Sequence, residues 1–288
     1  MTGLVGAVRF LTVLPVGPGE AEPEGGVGLR PADLEARMDP QAASPESGQG
    51  PAATTPWFPV VGALVGVLVL PGLWLGAATS SPGALGPGTL LAAALTLTLW
   101  TGLTGGLHED GWADCADAAF APVDRERRRE ILKDPRVGVH GASALFLLFL
   151  IRFSALVSFA ALVPWAREAV LVIAAPVVGR WLMVLSLRGA HPLNPQGLGS
   201  SFASAPQAGR ASAAALVLLA AIGGVAGVAS VPALVAGVAG GLLAGIAIAG
   251  FLGRRFGGIS GDGHGAAGIG AETATLVILA FFLAQGAG

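Results

Sequence analysis

Charge is what this chain has least of. Only 12% of its 288 residues are Asp, Glu, Lys or Arg, against roughly 25% in an ordinary soluble domain. With 53% hydrophobic residues and a mean hydropathy of +0.71, that scarcity excludes a typical water-soluble globule and points to an integral membrane protein. Cysteine is nearly absent. Cys115 stands alone, which rules out an intramolecular disulfide and any cysteine-cluster zinc site. There is no basic tract and the formal net charge is −2, so no nucleic-acid partner is expected. The opening MTGLVGAVRFLTVLPVGPGE is apolar but interrupted by Arg9, and lacks a basic leader region and a small-residue cleavage site. It predicts a segment over 1–17 that lies at the interface or packs on the bundle, not a signal peptide.

What the chain does have is long apolar runs. A spanning helix needs roughly 20 mostly apolar residues, and seven stretches qualify: 57–78, 84–104, 141–163, 168–187, 211–230, 232–252 and 268–285. The runs are continuous, not alternating, which favours helices over a closed barrel. The expected fold is therefore all-α, a polytopic membrane bundle of about seven transmembrane helices over 57–288. Small-residue stretches such as GGVAGVAS and AGVAGGLLAGIAIAG permit close helix contact. Residues 18–56, rich in Pro, Gly, Ala, Glu and Ser, predict a mobile polar insertion. With the N-terminus in the cytoplasm, all but Arg152, Arg167 and Arg180 of the 16 basic residues fall on that side, as the positive-inside rule requires. Every histidine and every aspartate falls there too, so the chemistry is expected on one face.

Three motifs carry that chemistry. The first is GGLHEDGWADCADAAF, from Gly105 to Phe120. On a helix, Asp110, Asp114 and Asp117 (i, i+4, i+7) share one face. Each pair of such charges repels by about 2.8 kcal/mol at ~6 Å and an effective dielectric near 20. That repulsion favours a divalent cation, and oxygen-only donors suit Mg2+ completed by water and substrate phosphate. A merely solvated helix face is the alternative for any single aspartate. His108 is off that face, a weaker ligand or base.

The second motif, DPRVGVHGASAL, offers Arg136 as a phosphate clamp and His140 as an acid or base; the arginine run before it reads as interfacial anchoring. The third, GRRFGGISGDGHGAAGIGAE, predicts a glycine-rich loop whose Gly258, Ser260, Gly261, Asp262 and His264 approach an anion at a helix N-terminus. Glu272, inside the last span, needs a partner. Arg152 and Arg180 are each expected to face the bundle interior or a wet cavity, Arg180 meeting Glu272 or a bound phosphate; snorkelling to the interface is the alternative, more so for Arg152.

Together these motifs, with FLTVLPV and WFPVVGALVG nearer the start, resemble the cobalamin synthase family, the adenosylcobinamide-GDP ribazoletransferases. The resemblance implies a Mg2+-dependent enzyme of the cytoplasmic (inner) membrane, with its site facing the cytoplasm. It would join α-ribazole or its 5′-phosphate to adenosylcobinamide-GDP and release GMP. The family pattern maps onto His108, Asp110, Asp114 and Asp117, onto Asp134, Arg136 and His140, and onto Gly261 and Asp262. It implies Asp110, Asp114 and Asp117 as metal ligands, and His108, Asp117 or His140 as proton acceptor. Substrate phosphate would meet Arg136, Arg180 and the glycine-rich stretch. A homo-oligomer or an assembly with other enzymes of that pathway fits the resemblance. The alternatives are a CDP-alcohol phosphotransferase, whose DG…A element DGWAD partly matches, and a cation transporter.

Overall fold

The computed structural model describes residues 3–16, 51–77, 86–162, 167–189, 191–194 and 207–286. Most of the polar insertion expected at 18–56, and residues 195–206, lie outside these residues. Among the described residues there are ten α-helices and no strand beyond one isolated bridge between Pro192 and Ile259. In chain order they are α1 (Gly3–Leu11), α2 (Phe58–Ala77), α3 (Pro87–Thr104), α4 (Leu107–Phe120), α5 (Arg125–Ile131) and α6 (Val139–Leu162). Then come α7 (Ala174–Gly189), α8 (Gln207–Ala226), α9 (Val231–Phe256) and α10 (Gly261–Gly286). Pro51–Trp57, assigned by sequence to the insertion, instead forms a 3-10 turn packed on α1 and α8.

Six helical stretches are long and apolar enough to cross a membrane: Ala53–Trp74, Val139–Ala161, Glu168–Gly189, Ala208–Ala226, Val228–Phe256 and Gly261–Gln285. The chain is thus a multi-pass helical membrane protein. The expected span at 84–104 reaches that standard only jointly with α4, from which it is bent by 88°. The five threonines of α3 dilute its apolar character. Toward the surroundings the bundle presents Leu64, Leu91, Phe146, Leu150, Leu243 and Phe281; so much exposed apolar bulk suits acyl chains better than water.

Helix α10 is the hub, packed against α4, α6, α7 and α9. Its tight contact with α9 runs along Gly237, Gly241 and Gly245, spaced every fourth residue, where added side chains would collide with Leu279, Thr275 and Ala271. Small residues at that spacing let two backbones approach in lipid, where no hydrophobic force drives helices together. Helix α1 buries Ala7, Val8 and Leu11 against Phe58, Val61 and Met183, so of the two arrangements expected for it, packing on the bundle is the one found.

The glycine-rich stretch is not the long loop the sequence predicts. Only Gly257–Ser260 is non-helical, and α10 begins at Gly261. The glycines beyond it pack helix against helix: Gly268, for instance, faces Met183 and the Gly179 carbonyl.

Candidate active site

The acidic motif is helical, as its spacing predicts. Gly105 and Gly106, at φ 63° and 71°, end α3 with hydrogen bonds from their N–H groups to the carbonyls of Gly102 (3.2 Å) and Thr101 (3.1 Å). They turn the chain sharply into α4. Such conformations are open to glycine and costly for other residues. At the far end the Arg255 Nε donates to the Ala119 carbonyl (3.0 Å) and Arg128 Nη2 to that of Ala121 (3.1 Å). Arg129 likewise donates to the Phe256 carbonyl at the end of α9 (2.8 Å). The arginines that sequence reads as interfacial anchors therefore satisfy helix C-termini, where cations complement the dipole.

Helix α4 crosses the first turn of α10 at Gly111. A Cβ there would lie 2.9 Å from the Asp262 carbonyl oxygen, so only glycine allows this approach. Asp110 and Asp114 flank the crossing, and Asp262 meets them from α10. The convergence has an electrostatic signature. The Asp114 carboxyl is raised from 3.8 to about 6, first by burial and then by Asp110, Asp262 and Asp117. Helix α4 lies outside the six spans and Asp114 remains partly exposed, so a proton or a cation can reach it.

Asp117 has a structural role that its spacing does not show. Its two carboxylate oxygens accept from Gly138 N (2.7 Å) and Gly141 N (2.8 Å), so it caps the N-terminus of α6 from a neighbouring helix. Each oxygen keeps a further acceptor position. Among the described residues no three His, Cys, Asp or Glu side chains form a ready-made metal cage. The donor chemistry that remains is two carboxylates on α4 with a third across from them. This fits a hard cation that takes one or two carboxylates and fills its other positions with water and phosphate. Asp117→Ala is expected to cost about 1–2 kcal/mol of stability through the lost cap, measured by thermal unfolding in detergent; no loss would deny the cap its role.

Other expected site residues divide. Arg136 is exposed and forks onto Asp134 (Nε–Oδ1 2.9 Å, Nη2–Oδ2 2.6 Å), which holds the Asp134 carboxyl down to about 2 through those hydrogen bonds. His140 is exposed in the first turn of α6, its ring 6.2 Å from that of Phe120. Both sit on the segment that Asp117 ties to α4. Ser260 is the N-cap of α10, its Oγ accepting from Gly263 N (3.2 Å), and at Gly261 an added side chain would meet nothing. That helix start is open, with a dipole favourable to an anion.

Four residues named for direct chemistry are packed into the bundle. Gly258 packs on the Leu193 and His191 backbones, 2.9 Å from Leu193 Cα to a Cβ placed there; its smallness serves the bridge between Ile259 and the 191–193 segment. His264 is buried with Nδ1 2.7 Å from Ser186 Oγ, linking α10 to α7. His108 is buried against Gly265, away from the acid face, and its Nε2 has no hydrogen-bond partner. Arg180 is buried on Glu272, one of the two partners expected for it.

Arg152 faces the bundle interior, as expected of an intramembrane charge, and does not snorkel; sequence reasoning missed its partners. It is fully buried, with Nη2 2.7 Å from Glu272 Oε1 and Nη1 3.6 Å from Glu109 Oε1. The signal was present: Arg152 and Glu272 are opposite charges lying within separate apolar runs. Cys115 is a packing residue, as expected, beside Phe256 and Ala266, and burial pushes its thiol far above the usual range.

The cobalamin-5-phosphate synthase family model matches residues 3–280. The adenosylcobinamide-GDP ribazoletransferase of Chlorobium phaeobacteroides is 39% identical over 173 residues, covering 59% of this chain and 56% of that protein. Its namesake in Herpetosiphon aurantiacus is 33% identical over 199 residues, 69% of this chain and 66% of its own length. That of Pseudomonas putida is 45% identical over 147 residues, 51% and 55% respectively. The matched region thus spans between about half and two thirds of these relatives. No solved structure matches this chain.

Proposed function

This chain belongs to the cobalamin-5-phosphate synthase family, and we propose that it transfers α-ribazole, or its 5′-phosphate, to adenosylcobinamide-GDP with release of GMP. The observation that carries the reading is the crossing at Gly111, which gathers Asp110, Asp114 and Asp262 at the open N-terminus of α10. Magnesium bound by Asp110 and Asp114 would neutralise charge on the diphosphate. The residues of this chain do the rest. The start of α10 directs its positive end at phosphate oxygens. Arg136, exposed beside its partner Asp134, would add a planar donor fork. As the ribose hydroxyl oxygen bonds to the cobinamide-side phosphorus, the bond to GMP breaks and the hydroxyl proton passes to a base. Of His108, Asp117 and His140, the exposed His140 is the best placed to take that proton.

The distribution of basic residues supports a cytoplasmic site in the inner membrane. A transporter reading draws no support from the interior charges, which pair with one another. Purified protein should release GMP from adenosylcobinamide-GDP only with Mg2+ and an α-ribazole acceptor. No release with either acceptor form would reject the proposal, and CMP release from a CDP-alcohol would replace it. Because Asp114 titrates near 6, protons compete with the cation below that pH. The Mg2+ concentration giving half-maximal rate should therefore climb as pH falls from 7 to 5; a flat profile would place Asp114 outside the cation site.

A further inference from the structure

The acidic helix hangs from α3 by two left-handed glycines, and its N-cap residue, Gly106, provides no side-chain cap for the first turn. The turn gives the sense of the bend, but neither glycine has a side chain to brace α4 against α3. A brace comes from the interior. Glu109, in the first turn of α4, is buried with Oε1 3.6 Å from Arg152 Nη1, and Arg152 Nη2 lies 2.7 Å from Glu272 on α10. The same guanidinium stacks over the Trp100 ring of α3 at 4.7 Å, while Glu272 also holds Arg180 of α7. From α6, one side chain therefore touches both arms of the hinge and the helix that α4 must meet.

We infer that Arg152 is a positioning residue. By pairing its charge with Glu109 and Glu272 together it sets the angle at which Asp110 and Asp114 face the first turn of α10. Taking those acids as the reacting centre rests on the proposed function; the clamp itself does not. Buried ion pairs seldom add stability over apolar residues of similar volume, so stability alone is a poor reason to keep four charges here. A planar fork can serve two carboxylates and a ring face at once, which an ammonium cannot. The leverage is short: Glu109 is adjacent to Asp110 and two residues from the Gly111 contact.

Glu109→Gln tests the clamp, because Arg152 keeps Glu272 and the bundle is not left with an unpaired cation. Hydrogen exchange of the detergent-solubilised protein should quicken by about tenfold in residues 107–114, while α7 and α9 stay as in wild type. In the turnover assay the half-saturating Mg2+ concentration should rise several-fold, with a smaller fall in kcat at saturating Mg2+. Should that variant not fold, Arg152→Lys, which keeps the charge but loses the fork, is read in the same way. Unchanged exchange in α4 of a folded variant overturns the inference. Faster exchange spread evenly over all helices also overturns it, since that is mere loss of stability. If wild-type protein shows no turnover, the functional reading fails and exchange alone judges the clamp.

Discussion

Asp114→Asn is expected to lower kcat by about 100-fold or more if Asp114 holds the proposed cation, since such a carboxylate would supply several kcal/mol of charge stabilisation in the transition state. The bundle should remain folded and become more stable at neutral pH. Burial and the carboxylates of Asp110, Asp262 and Asp117 raise the Asp114 carboxyl from 3.8 to about 6. A raised acid binds its proton more tightly folded than unfolded. Between 3.8 and about 6 the stability of the cation-free protein therefore falls as pH rises. Asparagine removes that liability. Thermal unfolding without divalent cations should show a higher Tm for the variant at pH 7.5 and no gain at pH 4. An active variant would exclude Asp114 from the chemistry, and an unchanged Tm at pH 7.5 would show that solvent already screens the repulsion.

Glu272→Leu is expected to have the largest effect on stability. Glu272 is 2% exposed and pairs with both Arg152 and Arg180. Its loss leaves Arg180 without that partner and Arg152 with only the longer contact to Glu109. Removing one member of a buried pair typically costs about 3–5 kcal/mol. Thermal unfolding in detergent measures this directly, and Glu272→Leu combined with Arg180→Leu should recover part of the loss. A Tm shift of only a degree or so for the single variant would show that water reaches these charges.

Much of the site was legible because helical spacing is a strong local signal. Asp110 and Asp114 share a face for the reason the i, i+4 pattern gives, and the need of Glu272 for a partner follows from its apolar neighbours alone. The capping role of Asp117 was hidden because it lies on the same stripe. That role depends on the amides of Gly138 and Gly141, more than 20 residues along the chain, and no local pattern reports that. The glycines after Gly257 mislead in a different way. In water-soluble proteins they would argue for a loop, but in a lipid-embedded helix they are contact surfaces. His108 and His264 each carry chemistry in principle, and burial against α10 and α7 removes them from the acid face.

The sequence by itself determined the class of molecule, the approximate spans and the identity of the acid cluster. All three follow from composition and periodicity within short windows, where hydrophobic and helical preferences act locally. Which aspartate faces the reacting centre, which one caps a helix, and which arginine joins four helices were decided only by tertiary structure. The reason is physical: a carboxylate's role is set by the donors and charges that packing brings within a few ångströms, and here those come from other helices.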